Sequence, residues 1–150
     1  AFTKVVGTAT PEKLKFLQAG MEGLKKAIDA VKPGNYIGDI SEAMDSTIKK
    51  YGYSCTKELT GHGVGRELHE DPLISNVVVG KREITPLIEV GSTLAIEIIY
   101  VEGSPSLVME EDNWTISTKD GKIAAVHEET VVVTNDGCTI LTTPTLFQIT

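Results

Sequence analysis

The stretch LTGHGVGRELHEDPLISN occupies residues 59–76 and contains two of the three histidines in the chain. Three glycines bracket His62 and lie just upstream of His69. Glycine adopts positive φ without strain and lets the backbone come close to a bound group. Imidazole both ligates transition metals and transfers protons near neutral pH. The stretch therefore predicts a site for a metal or a substrate, and a glycine-rich turn with two solvated histidines is the simpler alternative.

A strand is predicted next at residues 92–101, which read STLAIEIIYV and are almost all apolar. Such a strand is typically covered on both faces. Glu97 lies in its middle, and a buried carboxylate is costly unless it is paired, hydrogen-bonded or bound to a metal. Glu97 is therefore a candidate ligand, and a salt bridge to an Arg or Lys is the alternative.

Two more strands are predicted at residues 114–118 and 123–134, joined by a hairpin turn with Asp-Gly at its tip. A last short strand is predicted at residues 138–141. The strand at 123–134 carries Glu128 and Glu129 among valines. Side chains alternate between the two faces of a strand, so one glutamate faces inward and the other outward. The alternation leaves open which one faces inward.

Upstream, the sequence predicts a short strand at residues 2–6 and then two helices. Thr10 and Pro11 are typical of a helix start, and Pro33-Gly34 is typical of an end. Large apolar residues three and four positions apart predict one buried stripe on the first helix: Leu14, Leu17, Met21, Leu24, Ile28 and Val31. The second helix is predicted over residues 38–51, with Ile40, Ala43, Met44, Thr47 and Ile48 facing inward. Two helices followed by antiparallel strands indicate an α+β fold.

Composition and charge exclude several classes of protein. The 150 residues are 41% hydrophobic and 23% charged, which is typical of one globular domain. A formal net charge of −7 without a basic cluster argues against nucleic acid as a partner. No apolar run reaches membrane-spanning length and no secretory pattern is present, so we expect a cytoplasmic protein that does not bind membranes. The two cysteines lack the spacing of a metal site.

His62 and the strand glutamates together form a mixed set of nitrogen and oxygen donors. Such a set suits Mn, Fe, Co or Zn in a catalytic site better than a structural zinc site, which relies on thiolates. Two such ions that share carboxylates activate water for hydrolysis. His69 lies near these donors in sequence and is placed to hydrogen-bond a substrate carbonyl.

Several motifs, in this order, resemble the second half of a type I methionine aminopeptidase. They are GHGVG at 61–65, HEDP at 69–72, TLAIE at 93–97, NWT at 113–115, TKDG at 118–121 and EETVVVT at 128–134. The resemblance covers residues 1–143. It implies the α+β pita-bread fold, in which two pseudo-symmetric halves hold a dinuclear metal site, and of which this chain supplies the C-terminal half: two helices followed by a mainly antiparallel curved sheet. It also implies metal-dependent removal of the N-terminal methionine from nascent proteins.

The resemblance implies a role for particular residues. His62, Glu97 and Glu128 match metal ligands for two divalent ions, Co, Mn, Fe or Zn, and this match selects Glu128 over Glu129. His69 matches the histidine that contacts the peptide group of the substrate, and Glu97 is also a catalytic candidate for proton transfer.

Leu68 and Trp114 match positions that line the pocket for the methionine side chain. For Leu68, ordinary core packing is the alternative.

The chain also departs from the family pattern. The family's other two ligands are aspartates upstream of the strand predicted at residues 2–6, and this sequence starts after them. We therefore expect residues 1–150 to be one domain, the C-terminal half of the catalytic domain without its N-terminal half. Alone, the chain is expected to bind metal weakly or not at all and to be inactive. It is expected to pair with an N-terminal half or with itself, because half of such a fold exposes an apolar surface.

Two smaller departures are Ile98, where the family usually has proline, and Glu129, where it usually has histidine. Two other functions stay open from the sequence. One is a non-catalytic peptide-binding module of the same fold, and the other is a proline-specific dipeptidase, a relative that shares the Gly-His-Gly and Glu patterns. The tryptophan segment and its Thr-Lys-Asp-Gly turn favour the methionine enzyme.

Overall fold

The computed structural model describes residues 1–142, which open with two helices: α1, Pro11–Asp29, and α2, Ile37–Lys50. At the start of α1 the Thr10 hydroxyl accepts a hydrogen bond from Lys13 N at 3.4 Å, and Pro11 takes the first helical position. Beyond the end of α2, Gly52 has φ +86°, a conformation that suits glycine. Both helices predicted from the sequence are confirmed; α2 is shifted by one residue, and α1 ends at Asp29, before Val31, which was predicted to lie on it.

Eight strands follow in the described part of the chain: β1 Ser54–Cys55, β2 Thr60–Gly63, β3 Glu70–Ser75, β4 Thr93–Val101, β5 Leu107–Met109, β6 Ile116–Thr118, β7 Ala124–Val133 and β8 Cys138–Ile140. Six of them form one sheet in the order β3-β2-β4-β7-β8, with β1 beside β4, and the other two form a separate ribbon, β5-β6. All pairings between these strands are antiparallel. No helix within residues 1–142 is long and apolar enough to cross a membrane.

Small residues of α1 make its closest contact with the sheet. A Cβ added at Gly20 would lie 2.4 Å from the Tyr100 ring, and one at Gly23 would lie 2.3 Å from Ile98 Cδ1. The Tyr100 hydroxyl donates to Phe16 O at 2.8 Å and ties β4 to the helix. The buried face of α1 is therefore formed by Phe16, Ala19, Gly20, Gly23 and Ala27.

The buried stripe predicted for α1 is therefore wrong in part. Leu14 is 55% exposed and Met21 is 50% exposed, whereas Val31 is buried. The large apolar side chains follow a neighbouring stripe, because only the small residues allow β4 to approach the helix backbone closely. On α2 the predicted inward residues are buried apart from Ala43, which is half-buried.

The strand predicted at residues 2–6 is also wrong. Phe2 forms a single bridge with His127, and no longer pairing follows within the described residues. Instead, the Thr3 hydroxyl donates to Val126 O at 2.9 Å and accepts from Val126 N at 3.0 Å. Because the Thr3 hydroxyl bonds both the N–H and the C=O of Val126, it takes the place of the next pair of main-chain hydrogen bonds between the two segments.

The hairpin predicted between residues 114–118 and 123–134 does not form. Strand β6 pairs with β5, whereas β7 pairs with β4 from Thr93↔Val132 to Val101↔Ala124. The long apolar strand β4 offers β7 a far larger partner than the short β6 does. The Asp-Gly turn still connects β6 to β7, and Asp120 accepts a hydrogen bond from Ser104 N at 2.7 Å.

Candidate metal centre

The strand register brings three of the predicted ligands to one face of the sheet. His62 of β2 pairs with Ala95 of β4, and Glu97 of β4 pairs with Glu128 of β7. Directly opposed residues of antiparallel strands share a face, as do residues two apart on one strand. His62, Glu97 and Glu128 therefore lie on the side of the sheet that faces away from the helices. Glu129 is opposite Ile96 and belongs to the helix side.

His62 is oriented by its own backbone. The side chain is 5% exposed, and its Nδ1 lies 2.8 Å from Gly63 O. A carbonyl oxygen only accepts, so this contact places a proton on Nδ1, and in the neutral ring Nε2 then carries the lone pair. Nε2 lies 3.3 Å from Glu97 Oε1. Two electron-pair donors that face each other at this distance are an arrangement a divalent cation would stabilise. His62 is thus not the solvated turn residue of the simpler alternative.

The glycines beside His62 serve close strand packing. A Cβ at Gly61 would lie 2.4 Å from Ala95 O, and one at Gly63 would lie 2.2 Å from Asp71 O. The expectation of positive φ in this segment is wrong, since the glycines with positive φ among residues 1–142 all lie elsewhere. Here the neighbouring strands approach too closely for any side chain.

Glu97 occupies an electrostatically strained position. Burial raises the pKa of its carboxyl and the facing charge of Glu128 raises it further, while His62, His69 and the amino group of Ala1 oppose the shift. Within residues 1–142 the basic side chain nearest to its carboxylate is His62, so the alternative of a salt bridge to an Arg or Lys is wrong. The strand is also less covered than predicted, because Glu97 and Ile99 are only half-buried. This face is open enough for a bound group.

The amino group of Ala1 lies beside Glu128. It donates to Glu128 O at 3.0 Å and lies 3.4 Å from Glu128 Oε2.

The residues predicted to bind substrate lie at the edge of this centre or on open surface. The ring of His69 is exposed and its centroid lies 4.3 Å from that of His62. Leu68 is 70% exposed and Trp114 is 86% exposed. Core packing of Leu68 is therefore excluded. The structure brings His69 to the face that carries His62 and Glu97, and it leaves Leu68 and Trp114 without an enclosing wall among the described residues.

The donor atoms of His62, Glu97 and Glu128 are of the types that bind divalent ions, and the three residues lie on the same face of the sheet. They do not form a complete metal site. No group of three or more His, Cys, Asp or Glu side chains within residues 1–142 is arranged to hold a metal ion. What is present is the His62–Glu97 contact and the Glu97–Glu128 pair across the strands.

The model of metallopeptidase family M24 matches residues 1–135. The chain belongs to this family. Among curated relatives it is 40% identical over 144 residues to a methionine aminopeptidase of Aquifex aeolicus, a match that covers 95% of this chain and 55% of the relative. It is 37% identical over 142 residues to methionine aminopeptidase 1 of Bacillus subtilis, covering 95% of this chain and 56% of that protein. The chain thus spans about half the length of the relatives that it matches.

Solved structures of family M24 members share the fold. The methionine aminopeptidase of Thermotoga maritima superposes with a TM-score of 0.88 at 39% identity, covering 93% of this chain and 55% of that one. A prolidase from Pyrococcus furiosus gives a TM-score of 0.71 at 27% identity, covering 94% of this chain and 35% of that one. The predicted α+β pita-bread fold is confirmed.

Sequence reasoning missed an open groove beside α1, on the opposite side of the sheet from His62, Glu97 and Glu128. We call it the α1 groove. It has a volume of about 880 Å³. Its walls include Phe2, Val5, Leu14, Leu17, Met21, Leu24, Ile28, His127, Glu129 and Ile140. The sequence signal for this groove was the stripe of large apolar residues on α1. Their spacing is the same whether such a stripe is buried or exposed, so the sequence alone did not reveal the groove.

Proposed function

We propose that this chain is the C-terminal half of a cytoplasmic methionine aminopeptidase that removes the N-terminal methionine from nascent proteins. The observation that carries the proposal is the set of His62, Glu97 and Glu128 on one face, with His62 held at Nδ1 by Gly63 O and its Nε2 directed at Glu97. The names of the relatives at 37% and 40% identity support the substrate class. The isolated chain is inactive in this proposal.

His62, Glu97 and Glu128 would hold the metal in the complete enzyme, as part of a centre of two divalent ions, Co, Mn, Fe or Zn. When bound, such ions polarise the scissile carbonyl and lower the pKa of water. The two facing carboxylates favour a cation at this place, because their mutual repulsion is relieved when positive charge lies between them.

The protein's own groups orient the substrate and move protons. His69, exposed beside His62, donates or accepts a hydrogen bond at the peptide group of the first residue. Glu97, whose pKa is raised by burial, is the group that accepts a proton during attack. Leu68 and Trp114 supply apolar surface for the methionine side chain once the missing half encloses them.

The missing half is also the proposed occupant of the α1 groove. The groove exposes large apolar side chains, among them Leu14 and Met21. A monomer rarely leaves so continuous an apolar patch in water. The matched relatives contain nearly as much additional length as this chain spans. Residues 1–150 are therefore one domain that completes its fold against an N-terminal half. The alternative occupant is a second copy of this chain, and light scattering would detect it as a dimer of the isolated chain.

A fused enzyme tests this function. The part of the Aquifex aeolicus relative that precedes its match to this chain is joined ahead of Ala1, and hydrolysis of Met-Ala-Ser is measured with Mn²⁺. We expect release of methionine by the fused enzyme, none by the isolated chain, and loss of activity in the His62→Ala variant. An inactive but folded and metal-loaded fusion would contradict the proposal and favour a peptide-binding module.

A proline-specific dipeptidase is the second candidate, favoured by the likeness to the Pyrococcus furiosus prolidase. The same fused enzyme is assayed with Ala-Pro. Cleavage of Ala-Pro alone would replace the first proposal with this one, whereas cleavage of Met-Ala-Ser alone would exclude it.

A further inference from the structure

His127 has a buried nitrogen without a partner. It lies on β7 opposite Ile98, so its ring is on the helix side of the sheet. The side chain is 3% exposed, and its ring stacks against Tyr100 with centroids 6.2 Å apart and planes inclined by 22°. Across residues 1–142, Nε2 of His127 is the one buried side-chain nitrogen or oxygen that makes no hydrogen bond. Leaving such an atom unpaired is costly, so native proteins rarely do so.

His127 is also one of the residues that line the α1 groove. Around it the groove is mostly apolar, with Phe2, Leu17 and Ile140 among the wall residues. A mostly apolar groove that has one buried, unpaired nitrogen beside it matches a mostly apolar partner that carries a hydrogen-bonding group at that point.

We infer that His127 Nε2 hydrogen-bonds a hydroxyl or main-chain group of the segment that covers the α1 groove, and that it fixes where this segment sits. The inference rests on the proposed function, in which the occupant is the N-terminal half of the enzyme. His127 is a positioning residue: it precedes Glu128 in β7, so a segment anchored at His127 also holds the strand that presents Glu128 to Glu97.

The test compares His127→Phe and His127→Gln in the isolated chain and in the fused enzyme. Phenylalanine keeps the ring and removes Nε2, whereas glutamine restores a group that donates and accepts. In the fused enzyme we expect His127→Phe to raise the urea-induced population of the undocked state about tenfold or more, because the partner group loses its hydrogen bond, and His127→Gln to recover most of the loss. In the isolated chain, His127→Phe removes an unpaired nitrogen and is expected to raise the melting temperature.

A second readout follows the nitrogen itself. With ¹⁵N-labelled histidine, the Nε2 resonance of His127 is expected to shift between the isolated chain and the fused enzyme. Equal docking of the wild-type and His127→Phe fusions, or an unchanged Nε2 resonance in a docked fusion, would overturn the inference and leave the proposed pairing intact. A wild-type fusion that does not dock would overturn the pairing, and the inference with it.

Discussion

At the scale of single residues, the Glu97–Glu128 pair is an unfavourable feature of the metal-free chain. The two carboxylates face each other across β4 and β7, and burial raises the pKa of Glu97. Like charges directly opposed across strands cost roughly 0.2–1 kcal/mol. We predict that Glu97→Gln stabilises the metal-free chain by about 0.5 kcal/mol and weakens Mn²⁺ binding by the fused enzyme at least tenfold. Urea denaturation with EDTA and calorimetry measure the two effects.

Glu129→Gln is the matched control. Glu129 neighbours Glu128 but lies on the helix side, where its carboxylate accepts a hydrogen bond from the Thr142 hydroxyl. This variant is expected to leave Mn²⁺ affinity unchanged and not to stabilise the chain. Equal loss of Mn²⁺ affinity in both variants would contradict the assignment of faces.

The sequence was most informative where one residue conflicts with its surroundings. Glu97 within an apolar strand and His62 between glycines are such conflicts, and the structure brings both to one face. The unpaired nitrogen of His127 could not be found in this way, because its lack of a hydrogen-bond partner depends on all the elements that pack around it. The role of Gly61 and Gly63 was also hidden, since close strand packing and positive φ favour the same residue type.

At the scale of elements, the contact between α1 and β4 depends on glycine. Replacing a helical glycine by alanine usually stabilises a helix by about 0.5–1 kcal/mol. At Gly20 the added Cβ would lie 2.4 Å from the Tyr100 ring, which is fully buried and fixed by its hydrogen bond to Phe16 O. We predict that Gly20→Ala instead destabilises the chain by about 1–3 kcal/mol, because a packed core has no room for the methyl group. Thermal and urea unfolding measure this change.

Gln18→Ala on the exposed side of α1 is the control and is expected to change stability by less than about 0.5 kcal/mol. Stabilisation by Gly20→Ala would show that β4 does not pack as closely on α1 as described.

Local sequence patterns predicted the positions of helices and strands better than they predicted which elements pair or pack together. Thr10-Pro11 marks the start of α1 because capping and a fixed proline φ act within one turn. The pairing of β7 with β4 rather than β6 is not local, since it depends on which strand offers the longer apolar edge. The choice between two stripes on α1 is likewise made by the sheet packed against it.

At the scale of the whole molecule, the α1 groove is the surface on which we propose that the N-terminal half docks. Leu14 is 55% exposed in the groove, and Leu87, outside it, is 52% exposed. These two leucines form a matched pair for one substitution. We predict that Leu14→Asp leaves the isolated chain stable but lowers the stability of the fused enzyme by about 2 kcal/mol, because a charge is then buried against the partner half.

Leu87→Asp is expected to have little effect on either protein. If both variants behave alike in the fused enzyme, the groove is not the surface on which the other half docks.

Metal binding tests the central claim most directly, because it requires both the ligands of this chain and the half that completes them. Mn²⁺ is titrated by calorimetry into the isolated chain, the fused enzyme and its His62→Ala variant. We predict two tightly bound ions per fused enzyme, weak or no binding by the isolated chain, and a loss of at least tenfold in affinity for His62→Ala. Equal Mn²⁺ binding by the wild-type and His62→Ala fusions would contradict the claim that His62, Glu97 and Glu128 form this chain's share of a metal centre.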